Sequence, residues 1–256
     1  MKYEELDQFI KNSNYQYLPH LSVDCVVFGF HENQLKVLLM KMKHADKWGL
    51  PGGFVKPEES LETAAGRVLQ ERTGLDNIFL QQFHVFSDPD RSDTATKVDF
   101  LKNAGKAFLK DDWFLQRFLS VGFYALVDFS TVNPTPDPLS EACAWLEIGE
   151  VKSLIFDHNH ILNKALEVLR LQLNYQPIGY NLLPDKFTMP ELQKLYETIL
   201  NRPLDRRNFQ RKILSYGILR QLKEKRKGVA HKAPYLYSFD LRKYQKALKE
   251  GLQDVW

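Results

Sequence analysis

Cysteine is nearly absent from the chain: Cys25 and Cys143 are the two in 256 residues. Two thiols so widely separated supply neither a disulfide framework nor the spacing of a structural zinc site. Long apolar runs are also missing. The longest, Leu119 to Val127, spans nine residues and contains Ser120 and Gly122, about half of what a membrane-crossing helix requires. The opening Met1-Lys2-Tyr3-Glu4-Glu5-Leu6-Asp7 lacks the basic-then-apolar order of a secretory signal. These absences predict a cytoplasmic protein with no membrane partner. What is present is an ordinary globular balance, with 44% hydrophobic and 26% charged residues, which argues against disorder. The length favours two folded units.

Charge is unevenly placed. Residues 1–184 hold 18 Lys+Arg against 24 Asp+Glu, whereas residues 185–256 hold 17 against 8. An acidic front of ordinary size is followed by a short basic piece. Such asymmetry predicts a polyanion partner for the C-terminal part; a solvated basic surface is the alternative.

Patterning then orders the elements. Ser22 to Phe30 reads as a strand, His31-Glu32-Asn33 as a turn, and Gln34 to Lys41 as the alternating return of a hairpin. The Gly/Pro-rich run Trp48 to Phe54 reads as a loop. Ser60 then caps a helix to Thr73, with Leu61, Ala64, Ala65, Val68 and Leu69 at helical spacing and Gly74 as the stop. Ile78 to Phe86 is a strand, and Asp93 to Leu109 an inserted stretch with helical spacing. Phe114 to Phe129 holds a second strong strand, Ala144 to Ile148 a short one, and Asn159 to Leu173 an amphipathic helix. Tyr175 to Lys186, with Pro177, Gly179 and Pro184, is the expected linker. Thr188 caps the next helix, with Pro190 inside its start and an apolar stripe at Leu192, Leu195, Tyr196 and Ile199. Asp205 caps a helix over Arg206 to Ser215, and two strand-like stretches follow around a basic loop. That order is the order of a winged helix-turn-helix. The expected boundaries are an extension over 1–20, a domain over 21–174, a linker over 175–186 and a DNA-binding domain over 187–256.

The segment Gly53-x5-Glu59-x7-Arg67-x-Leu69-x-Glu71-x-x-Gly74-Leu75, preceded by Trp48-x-Leu50-Pro51-Gly52, resembles the Nudix box, G-x5-E-x7-R-E-U-x-E-E-x-G-U with U aliphatic. The resemblance implies an α/β (α+β) fold, a mixed sheet between helices. In the intact box three glutamates fall at i, i+3 and i+4, so they share one helix face. There they hold magnesium, which neutralises a diphosphate and activates water. Here those positions are Val68, Glu71 and Arg72. One ligand has become aliphatic and one has reversed sign, so no catalytic residues and no cofactor are expected. Gly53, Glu59, Arg67, Glu71 and Gly74 remain as the shape of the box. Arg72 supplies positive charge where the metal would sit, and Arg72, Glu71, Glu59 and Arg91 are the expected effector contacts.

The C-terminal run Phe187-Thr-Met-Pro-Glu191, then Leu204-Asp205-Arg206-Arg207-Asn208-Phe209-x-Arg211-Lys212, resembles the DNA-binding domain of the NrtR-type Nudix-related transcriptional regulators. Phe156-Asp157-His158 and Pro177 to Leu183 resemble that family too. The resemblance implies a degenerate Nudix domain that senses a small molecule, ADP-ribose in some branches and a pentose in others. It also implies a winged helix on operator DNA and a homodimer. The expected DNA contacts are Arg206, Arg207, Asn208, Gln210, Arg211 and Lys212 on the helix, with Lys225, Arg226, Lys227 and Lys232 on the wing. Phe209, Ile213 and Leu214 are expected to face Leu192, Leu195 and Ile199. One departure is the connection from Asp88 to Leu115, longer than the arginine-rich loop of that family. Asp157 is read as a helix cap with His158 in the first turn, and Trp113, Phe114 and Phe118 as core. The alternative function is a Nudix hydrolase acting on ADP-ribose or a related nucleoside diphosphate derivative, with Mg2+ on Glu59 and Glu71.

Overall fold

The computed structural model describes residues 12–13, 15–76, 78–91, 93–107, 112–137, 139–226 and 233–252. The chain divides into two units, 1–28 with 36–165, and 29–35 with 166–256. The division falls inside a helix, and residues 175–186 lie within the second unit.

The first unit is built on a mixed sheet. Its strands are β1 (Leu21–His31), β2 (Gln34–Met42), β3 (Trp48–Gly49), β4 (Gly52–Phe54), β5 (Phe79–Phe86), β6 (Leu119–Val127) and β7 (Ser140–Glu147). Their order is β3-β2-β1-β6-β5, with β4 added to β1 and β7 to β2. Glu32 and Asn33 join β1 to β2 with φ of 51° and 64°. Two successive positive φ values match the two-residue turn whose twist suits a hairpin. Trp48 to Phe54, expected to be a loop, carries the short strands β3 and β4. The register Val23↔Gly53 and Asp24↔Gly52 brings the glycine run onto β1.

Helix α1 (Leu61–Thr73) lies against this sheet. Ser60 Oγ accepts from Thr63 N at 3.2 Å, and Gly74 ends the helix at φ 72°. Glycine takes that left-handed conformation without the Cβ clash. Ala64, Ala65, Val68 and Leu69 pack with Val23, Cys25, Val27, Leu38, Val121, Phe123, Ala125 and Val127. Each larger aliphatic side chain buried there contributes about 1.5–3 kcal/mol. The insertion is folded. Helix α2 (Thr94–Asn103) starts where Asp93 Oδ1 accepts from Ala95 N at 2.8 Å. Phe100, Leu101, Ala104 and Leu115 give it a small core of its own. Helix α3 (His158–Gln172) follows β7.

The second unit holds β8 (Phe187–Thr188), α4 (Met189–Leu200), α5 (Arg206–Ser215), β9 (Leu219–Lys225), β10 (Tyr235–Phe239) and α6 (Leu241–Glu250), with sheet order β8-β10-β9. Thr188 and Glu191 form a reciprocal cap: Glu191 N donates to Thr188 Oγ1 at 3.3 Å, and Thr188 N to Glu191 Oε2 at 2.7 Å. Asp205 Oδ1 accepts from Asn208 N at 2.9 Å and starts α5. Phe209 and Ile213 are buried, and Phe209 meets Tyr196 edge-on at 5.3 Å. Leu214 corrects its expectation. It is 41% exposed, because one residue past Ile213 is a rotation of about 100° off the buried stripe. Helix α6 and strand β8 were not anticipated. No helix of the described residues is long and apolar enough to cross a membrane.

Candidate functional sites

The residual box is tied up in ion pairs. Arg67 donates to Glu59 through Nε (2.6 Å) and Nη2 (2.9 Å), and Lys56 N donates to the same carboxylate at 3.1 Å. The Arg67 hydrogen bonds hold the Glu59 carboxyl below the usual range, against a smaller opposing effect of burial. Arg67 Nη1 also lies 3.5 Å from Glu71. Arg72 sits between Glu71 at 3.5 Å and Asp137 at 3.4 Å, and its Nε is buried with no hydrogen-bond partner among the described residues. Val68 is 1% exposed in the core. A Cβ on Gly53 would come within 2.6 Å of Val68 Cγ2, so the side chain that replaced a carboxylate fills the space beside the glycine loop. Magnesium does not fit this donor set: an apolar group and a guanidinium stand at two positions, and arginines claim both remaining glutamates. Among the described residues, no group of three or more His, Cys, Asp or Glu side chains gathers as a metal site.

Beside the box is a cavity of ≈ 150 Å³, reached by β1, β2, β4, the insertion and the start of α3. Its walls include Met40, Leu50, Gly53, Phe54, Phe114 and Phe118, with Asp24, Arg91, Lys97, Asp137 and His158 as the ionisable residues. Of the four expected effector contacts, Arg91 lines it; Arg72, Glu71 and Glu59 do not. Trp113 and Phe118 are buried as expected, while Phe114 and Phe118 also line the cavity.

Arg91 is the centre of a buried network. Its Nε and Nη2 each donate to Asp157 at 3.0 Å, Nη2 reaches Asp24 at 3.4 Å, and Nη1 donates to the Phe118 carbonyl at 3.3 Å. The side chain of Asp157 serves Arg91, while its carbonyl accepts from Ile161 N at 3.1 Å, so the residue stands at the cap position before α3. His158 does lie in the first turn of α3. Its Nδ1 accepts from Leu50 N at 2.8 Å, so Nε2 carries the proton, 3.6 Å from Asp24 Oδ1. Ser120 Oγ donates to Asp24 at 2.5 Å. A Cβ on Gly52 would approach Asp24 Oδ1 to 2.7 Å, so a larger residue there would have to displace that carboxylate.

Burial lowers the pKa of His158, although Asp24 and Asp157 pull the other way. The unfolded chain therefore takes up this proton first as pH falls. The contribution of neutral His158 is complete above about pH 6.5 and is lost below it, at up to about 1.4 kcal/mol per pH unit. His158→Gln removes that titration. The gap in unfolding free energy between wild type and variant should narrow between pH 7 and pH 5; a constant gap in urea titrations would contradict the assignment.

The second unit offers a polar face on α5. Arg206, Arg207, Asn208, Arg211 and Lys212 are exposed and Gln210 is half-buried, while Arg211 Nη2 donates to Asn208 Oδ1 at 3.0 Å. On the wing, Lys225 Nζ stands 4.8 Å over the Tyr235 ring. Arg226, expected as a DNA contact, has its guanidinium paired with Glu191, the capping residue of α4. Glu191 stays below the usual carboxylate range despite burial, held there by Arg226 and Thr188. Lys227 and Lys232 lie outside the described residues.

Comparison with known proteins covers both units. Residues 18–168 match the NUDIX domain, and residues 179–239 match the NrtR DNA-binding winged helix domain. The chain is 28% identical to the ADPR responsive transcriptional repressor NtrR of Acinetobacter baylyi over 234 residues, covering 88% of this chain and 84% of that protein. Among solved structures it resembles Shewanella oneidensis NrtR complexed with a 27mer DNA, with TM-score 0.69, 25% identity, and coverage of 88% of this chain and 95% of that one. A MutT/nudix family protein from Enterococcus faecalis shares the fold, with TM-score 0.63, 23% identity, and coverage of 93% and 96%.

Proposed function

The chain belongs to the NUDIX domain family and carries an NrtR DNA-binding winged helix domain behind it; from that premise we propose that it is a ligand-responsive transcriptional regulator. The NUDIX unit binds a sugar or nucleotide-sugar effector, and the winged helix binds operator DNA as part of a cytoplasmic homodimer. One observation carries the reading. Helix α1 presents Val68 and Arg72 where the intact box has carboxylates, and arginines engage Glu59 and Glu71. A helix so altered can keep its fold while giving up metal-dependent hydrolysis. The relative that responds to ADPR makes ADP-ribose the first effector to try.

Turnover is expected to be negligible. Incubated with ADP-ribose and Mg2+ or Mn2+, the purified protein should release no AMP at a rate approaching about 1 per second, the low end of ordinary enzymes. A rate in that range would overturn the non-catalytic reading. The regulatory reading is tested by fluorescence anisotropy on labelled DNA from upstream of the protein's own gene. Binding should be saturable and should change on addition of ADP-ribose or a pentose. DNA binding that is absent or insensitive to every such ligand would contradict it.

A further inference from the structure

The charges lining the cavity are compensated, with one exception. Asp24 receives Ser120 Oγ, pairs with Arg91, and lies 3.6 Å from the neutral His158 Nε2. Asp137 accepts from Leu139 N at 2.9 Å and from Ser140 Oγ, and pairs with Arg72. Arg91 is taken by two carboxylates and a carbonyl. His158 is held neutral by burial. Lys97 is different. It is 5% exposed, its Nζ donates to the Gln116 carbonyl at 2.6 Å, and it lies 5.2 Å from the Phe118 ring centroid. Among the described residues no carboxylate pairs with it.

Resting on the effector-sensing reading above, we infer that the cavity takes a ligand bearing an anionic group, phosphate or carboxylate, which Lys97 holds while the uncharged part lies against Phe54, Phe114 and Phe118. An ammonium seldom stays buried without a counter-ion, because taking the charge out of water is costly. A four-carbon stem ordinarily carries its charge out to water, yet this one turns inward. The helix that carries it is preorganised by the Asp93 cap and the Phe100 cluster, so the ammonium is presented rather than left to find its place. Desolvation, with repulsion from Arg91, brings Lys97 down to about 8. An incoming anion would restore it, and would bind less well once Lys97 is deprotonated.

The test uses the full chain and four probes: ADP-ribose and D-ribose 5-phosphate as phosphates, D-ribonate as a carboxylate, and D-ribose as the neutral control. By titration calorimetry at pH 7, at least one anionic probe should bind wild type, and Lys97→Met should weaken it at least tenfold while leaving any D-ribose binding unchanged. The wild-type affinity for that probe should fall between pH 7 and pH 9, and the variant's should not. Without ligand, Lys97→Met should melt at or above the wild-type temperature, since it removes an uncompensated buried charge. The inference is overturned if the variant binds the anionic probe as wild type does, if it weakens D-ribose equally, if its melting temperature drops by several degrees, or if no anionic probe binds. In that last case D-ribose separates the two readings. If it alters DNA binding, the regulatory reading stands without this one; if no probe does, both fall.

Discussion

Arg91→Met is expected to lower the unfolding free energy by about 3–5 kcal/mol at neutral pH, the largest single effect foreseen for the first unit. The arginine satisfies both oxygens of Asp157, reaches Asp24, and donates to the Phe118 carbonyl, all from a side chain 6% exposed. Its removal leaves the half-buried Asp157 carboxylate beside Asp24 with no counter-charge. Burial already raises the Asp157 carboxyl, and Arg91 is the main influence opposing that rise. Without it, Asp157 should protonate at still higher pH. The sign follows: the variant's deficit is greatest where Asp157 is charged in the folded state, and it shrinks as acidification neutralises the group. Asp157→Asn in the Arg91→Met background should recover part of the loss at neutral pH, because the unpaired charge is gone. Urea unfolding of the two single variants and the double variant measures the coupling. A loss below about 1 kcal/mol for Arg91→Met would mean that water reaches the network and that the pair is not a buried one.

Sequence reading reached what is local. Ser60 with Gly74, Thr188 with Glu191, and Asp205 with Asn208 are contacts over a few residues, and spacing plus cap chemistry locates them. The altered carboxylate face was legible for the same reason, since helical geometry alone puts Val68, Glu71 and Arg72 together. The destination of the Arg72 side chain was not, because Asp137 arrives from a distant loop. The Arg91–Asp157 pair spans 66 positions and the Lys97–Gln116 bond leaves the insertion's helix, so neither carries a periodic signal. Asp157 stands before α3 as its position indicates, and only the arrival of Arg91 decides where its carboxylate goes. Helix α6 was a different kind of miss. Asp240 as cap, Tyr244, Ala247 and Leu248 at helical spacing, and Gly251 as stop were all visible.

On the DNA side, Arg207→Ala is expected to cost about 1–3 kcal/mol of discrimination between operator and unrelated DNA. Lys225→Ala is expected to weaken all DNA alike and to reduce the salt slope of binding by about one unit. The difference comes from position. Arg207 is exposed in the first turn of α5, and the buried Phe209 and Ile213 fix the helix so that its polar side stays outward. Such a start can enter the major groove, where a guanidinium reads the guanine edge in two hydrogen bonds. Lys225 stands on the wing strand over Tyr235, where an ammonium meets phosphate and carries no sequence information. Arg226 supplies an internal control. Its pairing with Glu191 gives it a structural task, so Arg226→Ala should lower stability modestly and leave the salt slope nearer to wild type than Lys225→Ala does. A basic surface without register would make the three substitutions interchangeable. Anisotropy titrations at several salt concentrations, on an upstream fragment and a scrambled duplex, separate these cases. Equal losses on both duplexes for Arg207→Ala would remove α5 from the role of recognition helix.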